Sequence, residues 1–222
     1  MSEPGPLFRS CKRIARAFGG ASRVEGDALE GGVVYLCRHS GATGPIRSLI
    51  SLPGPVRPWI LGEFFEAASC RRFFAEVTFR GRLRIPSFLS KCLAFVAAPP
   101  FSRLVRSTGG IPVYRNSPRA RRTFTESAET LSRGGSLLIF PDVDYAGKRE
   151  GIGELYRGFL ALDRLTLSRS GEHAVFKPIH VTRKSLRVGR PISFTGSYRD
   201  QKDDVMRGLL REFRRLESSD RT

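Results

Sequence analysis

An α/β domain, built on a mostly parallel central sheet flanked by helices, is the architecture that these 222 residues predict. Short, mostly apolar runs are the first reason. Val33–Cys37 (VVYLC), Ser136–Phe140 (SLLIF) and Ala174–Val181 (AVFKPIHV) are the length of strands and are bounded by glycine or polar residues. Helical periods between the runs are the second. In 117–133, Ser117 suits an N-cap, Pro118 a first residue, and Gly134-Gly135 a stop, with Phe124, Ala128 and Leu131 on one stripe. In 203–217, Val205, Leu209, Phe213 and Leu216 share a face. Strands alternating with helices build a parallel sheet with helices on its faces. Size is the third: this length, with 40% hydrophobic residues and no repeat or dividing linker, suits one domain over 1–222.

The remaining elements follow in order. Residues 1–25 form a basic amphipathic N-terminal segment. Within it, 7–18 predict a helix with Leu7, Cys11, Ile14 and Phe18 on one face and Arg9, Lys12, Arg13 and Arg16 on the others. Such a helix either lies on anionic lipid or caps the core. Beyond the first strand a stretch rich in Gly and Pro runs to Pro58. Residues 59–70 then predict a helix and 73–79 (FFAEVTF) a strand or extended segment. Residues 85–105 are apolar but interrupted by Lys91 and Pro99-Pro100, which predicts one or two short helices. Residues 110–114 predict a strand, 158–168 a helix and 186–194 a last strand, with a frayed tail after Glu217.

The formal charge of +17 and pI near 10.9 draw polyanions: anionic headgroups, phosphorylated substrates or nucleic acid. A basic nucleic-acid-binding protein is the rival class. The cations are scattered, however, and no zinc finger, RRM signature or basic zipper accompanies them, so no specific nucleic acid is expected. Cys11, Cys37, Cys70 and Cys92 form no CxxC pair. They read as reduced thiols of a cytosolic protein. No metal is expected either, because His39, His173 and His180 lack ligand spacing. There is no apolar leader, and the run Cys92–Phe101 falls short of the roughly 18–20 residues of a spanning helix. The expectation is a peripheral protein on the inner face of the membrane. There, 88–101 either dips into the interface, with Arg103 and Arg106 at headgroups, or is core.

Three segments carry candidate chemistry. His39 leaves the end of a strand, where α/β folds bind ligands. It can serve as a general base, kept neutral by Arg38. In Gly109–Arg115, an arginine at a strand end suits a phosphate, whose oxygens its fork pairs bidentately. In 139–158, Asp142 and Asp144 emerge at the sheet edge with Lys148, Arg149 and Arg157.

In order and spacing these segments resemble the glycerolipid (lysophosphatidic acid, or 1-acylglycerol-3-phosphate) acyltransferase family. Arg38-His39-Ser40-Gly41-Ala42-Thr43-Gly44 resembles its NHxxxxD box, and Gly110-Ile111-Pro112-Val113-Tyr114-Arg115 its G-x-(I/V)-x-V-x-R segment. Phe140-Pro141-Asp142-Val143-Asp144-Tyr145, followed by Tyr156-Arg157-Gly158, resembles its FPEGTRS box and basic-Gly step. Val175-Phe176-Lys177-Pro178-Ile179 resembles its short proline-containing strand. The likeness spans about residues 30–195.

The resemblance implies a fatty acyl group moved from acyl-CoA or acyl-carrier protein, as co-substrate and without a cofactor, to the hydroxyl of a lysophospholipid. It implies His39 as base, Arg115 on the acceptor phosphate, and Asp142 in place of the family's glutamate. Asp144 stands beside Asp142 as a second carboxylate, and Ser40, Gly110, Pro141, Arg157 and Gly158 line the substrate cleft. It also exposes a departure, since Gly44 stands where the family has its aspartate. Either another carboxylate (Glu63, Asp142 or Asp144) replaces it, or an unusual acceptor is acylated slowly, or the chain binds phospholipid at the membrane without turnover.

Overall fold

The structure is a computed structural model, and it describes residues 4–26, 31–38, 43–114, 117–142 and 155–218. Eight strands form one sheet: β1 (Arg23–Glu25), β2 (Val33–Cys37), β3 (Val56–Leu61), β4 (Ile111–Val113), β5 (Ser136–Ile139), β6 (Val175–Val181), β7 (Ser185–Val188) and β8 (Ile192–Ser193). Their order is β1-β7-β6-β2-β5-β3-β4, with β8 beside β6. The pairs of β2 with β5 and β6, of β3 with β5 and β4, and of β1 with β7 are parallel. Among the described strand pairs, β6–β7 and β6–β8 are antiparallel. The α/β domain with its mostly parallel sheet is therefore present.

Among the described residues, seven α-helices surround the sheet: α1 (Pro6–Ala17), α2 (Thr43–Ser51), α3 (Ala67–Phe73), α4 (Ser87–Ser107), α5 (Ala120–Ser132), α6 (Leu162–Ser170) and α7 (Tyr198–Ser218). They cover both faces, which is why β2 is an unbroken apolar run. Val34 and Leu36 enter one core with Leu131, Leu162, Phe176 and Phe213. Val33, Tyr35 and Cys37 enter the other with Leu52, Leu138 and Ile179. Each such side chain contributes about 1.5–3 kcal/mol by burial.

Several expectations need correction. The Gly/Pro stretch after β2 contains α2, because Pro45 falls in the first turn, where its missing N–H costs nothing. Residues 59–61 belong to β3 and 62–65 to a 3-10 turn, so helix begins only at Ala67. Residues 74–82 are a π-helix, not a strand. Phe74 of this helix joins an aromatic cluster packed edge to face or tilted: Phe64 lies 4.9 Å from Phe73 and 5.3 Å from Phe101, and Phe74 lies 5.1 Å from Phe101. In place of one or two short helices, α4 runs unbroken for 21 residues through Pro99 and Pro100. Its buried Ser90, Ala94, Ala98 and Ser102 recur every fourth residue and let α3 and the π-helix approach closely. Residues 186–194 hold two short strands, β7 and β8. Ser117 and Pro118 do not open the helix: α5 begins at Ala120 with Arg119 at its N-cap, and Ser117 Oγ instead accepts from Arg119 N at 3.2 Å in the turn before it.

Candidate functional site

Leu36 of β2 lies beside Ile139 of β5, and Leu61 of β3 beside Val113 of β4. All four strands run parallel, so Arg38, Asp142 and Tyr114 leave the sheet at one edge. From β2 to β4 is three strand spacings, about 14 Å. His39, Ser40, Arg115 and Asp144, with Lys148 and Arg149, lie outside the described residues. Their described neighbours Arg38 and Tyr114, and the nearby Asp142, converge on this edge.

Arg38 organises the described part of the edge. Its Nε sits 3.6 Å from Asp142 Oδ1, and its Nη1 donates to Glu217 Oε1 in the last turn of α7. Asp142 is buried, and the chain returns against it: Leu155 bridges Asp142 and Tyr156 N donates to Pro141 O at 2.6 Å. Pro141 is thus held by backbone on both sides. Arg157 points away, pairing at the surface with Asp203 at 2.9 Å. Gly158 lies under the Tyr156 ring, where a Cβ would come within 2.2 Å of the phenol oxygen and displace that half-exposed ring. Gly110 is equally constrained, since a Cβ there would meet Ile60, Pro58 O and Thr108 at 3.0 Å.

Gly44 is buried in the first turn of α2, and its carbonyl accepts Ser48 Oγ at 2.7 Å. The same hydroxyl lies 3.2 Å from Cys37 Sγ. Burial pushes the Cys37 thiol up to about 12 against the lowering influence of Ser48, so it is no nucleophile at neutral pH. Of the carboxylates proposed to stand in for the missing aspartate, Glu63 is exposed in the 3-10 turn after β3, whereas Asp142 is at the edge. Glu217 went unnoticed in the sequence. Its signal was present, because it follows Phe213 by four residues and puts a charge where the apolar stripe of α7 calls for another hydrophobic.

Two other features do not belong to this edge. His173 Nδ1 lies 3.0 Å from the buried Asp163, which also accepts from Ala174 N. That pair ties α6 to the start of β6, at the opposite edge. The larger groove, about 540 Å³ and lined by Arg190, Ile192, Asp204, Arg211 and Arg215, runs between α7 and β8 and includes neither Arg38 nor Asp142. The candidate edge is instead marked by the parallel strand ends, the place where α/β sheets commonly bind ligands.

No family model and no curated protein matches the chain. Among solved structures, it superimposes on the 1-acyl-sn-glycerophosphate (LPA) acyltransferase PlsC from Thermotoga maritima with a TM-score of 0.51 and 11% identity, covering 95% of this chain and 80% of that one. At that identity the likeness is one of fold alone.

Proposed function

We propose that the protein is an acyltransferase that moves a fatty acyl group from acyl-CoA or acyl-carrier protein to a hydroxyl of a lysophospholipid or related glycerol phosphate, working peripherally on the inner, anionic face of the membrane. One observation carries the reading: on a fold shared with a phospholipid acyltransferase, the described neighbours of the base box, the phosphate-binding arginine segment and the carboxylate box leave the sheet at one edge. His39 takes the proton of the acceptor hydroxyl, and the alkoxide attacks the thioester carbonyl. The thiol then leaves, and Arg115 holds the acceptor phosphate. Arg38, which precedes His39 in sequence, is itself held by Asp142 and Glu217.

Gly44 favours a second reading, a protein that holds phospholipid without turnover, since no carboxylate can come from that position. Thiol release from acyl-CoA, followed with lysophosphatidic acid, other lysophospholipids and no acceptor, separates the two. Acceptor-dependent release establishes transfer. Binding of lysophospholipid with no release above the acceptor-free rate establishes the second reading.

A further inference from the structure

The helical hairpin formed by α3, the π-helix and α4 wears its side chains inside out. Its inner seam is Ser90, Ala94, Ala98 and Ser102, while Phe88 is 81% exposed, Val96 73%, and Phe95 and Leu83 61% each. Arg80, Arg82 and Arg84 alternate through the turn, and the Arg71 guanidinium lies 4.5 Å over the Phe95 ring. The helix α1 is turned the same way. Lys12 Nζ and Arg16 Nε donate at 2.8 Å to the carbonyls of Leu52 and Ile50, at the negative end of the α2 dipole. That leaves Ile14 58% and Phe18 87% exposed.

We infer that the protein stands on an anionic phospholipid bilayer through two shallow contacts, the hairpin turn with the outer face of α4 (residues 80–96) and the outer face of α1. The inference rests on the lipid-acceptor reading above and names the surface that reading needs. Apolar side chains interleaved with guanidiniums fit the boundary between acyl chains and anionic headgroups. A second copy of a chain carrying +17 would repel these cations rather than cover them. By length and hydropathy α4 could cross a membrane. Crossing would drag three arginines through hydrocarbon and strip the contacts of Ser107 with Gly5 and Phe8. Shallow insertion does neither. The hairpin begins after β3, whose C-terminal end shares the edge of Arg38 and Asp142. From the Phe64–Phe101 contact, α4 reaches back about 20 Å to Phe88. The candidate site thus lies at the hairpin's base.

Trp59 is the one tryptophan, so a Trp59→Phe background carrying Phe88→Trp, Phe18→Trp or, as a control on α6, Leu165→Trp reports depth. With phosphatidylcholine–phosphatidylglycerol vesicles bearing brominated chains, quenching is expected at positions 88 and 18 and not at 165. Phe88→Asp/Phe95→Asp should weaken partitioning to these vesicles by at least about tenfold with an unchanged melting temperature. Vesicle binding without quenching at 88 and 18, no vesicle binding at all, or loss of a dimer in the double variant would each overturn the inference. Turnover of a short-chain acceptor that is monomeric in solution is read separately. Its absence with vesicle binding intact sinks only the catalytic reading, and its presence with binding absent sinks only this one.

Discussion

The central sheet and the helical hairpin with α1 both carry large apolar residues and use them in opposite ways. In the sheet, Val34, Leu36, Leu138 and Phe176 are wholly buried between two helical layers. In the hairpin and α1, Phe88, Phe95, Val96 and Phe18 stand in the open while serines, alanines and two cations occupy the inner positions. An apolar residue therefore announces that something must cover it, without saying whether that cover is protein or lipid.

The largest expected contrast is in stability. Phe176→Ala should cost about 3–5 kcal/mol in urea unfolding, and Phe95→Ala less than about 0.5 kcal/mol. Similar losses for both would erase the distinction. Next comes the edge itself. Arg38→Met leaves the carboxylates of Asp142 and Glu217 without that cation, and about 1–3 kcal/mol should be lost. Because Glu217 lies in the last turn of α7, hydrogen exchange should rise in that turn.

A smaller effect sharpens the picture of α1. Burial, assisted by Arg16, pulls the Lys12 amine down to about 8 from 10.5. A lysine whose folded value is depressed binds fewer protons when folded, so stability should rise as pH climbs from about 8 to 10.5. Partial exposure keeps this to roughly 1 kcal/mol. The rise should be absent from the melting temperatures of Lys12→Met. Smallest is a difference in reactivity: Cys11 and Cys92 are exposed, while burial raises the pKa of Cys37 and Cys70. An aromatic disulfide reagent should titrate two thiols in the native protein and four after unfolding.

The same contrast explains what could be read from the sequence. β2 and β5 were legible because both faces of a central parallel strand are covered, which leaves a nearly continuous apolar run, and β6 was legible as a mostly apolar run despite Lys177 and His180. The last helix was legible because one stripe meets the core. Residues 73–79 misled because their aromatics, which suit a strand, pack ring on ring in a π-helix. The helix α2 was hidden by a Gly and Pro content that belongs to its first turn. At the site, Asp142 at the sheet edge was legible, since it follows a strand. The Arg38–Glu217 pair joins residues 179 positions apart, and no local pattern encodes such a contact. The inward turn of Lys12 and Arg16 escaped as well, because the helical period identifies two faces without saying which one meets protein.

The central claim is that His39, beside an arginine fixed by two carboxylates, is the base of an acyl transfer. Its most direct test is the rate of acyl transfer from acyl-CoA to lysophosphatidic acid at saturating substrate, for the wild type and for His39→Ala. The account predicts a fall of at least about 10²-fold in the variant, with vesicle binding and melting temperature unchanged. Equal rates in the two proteins would contradict it.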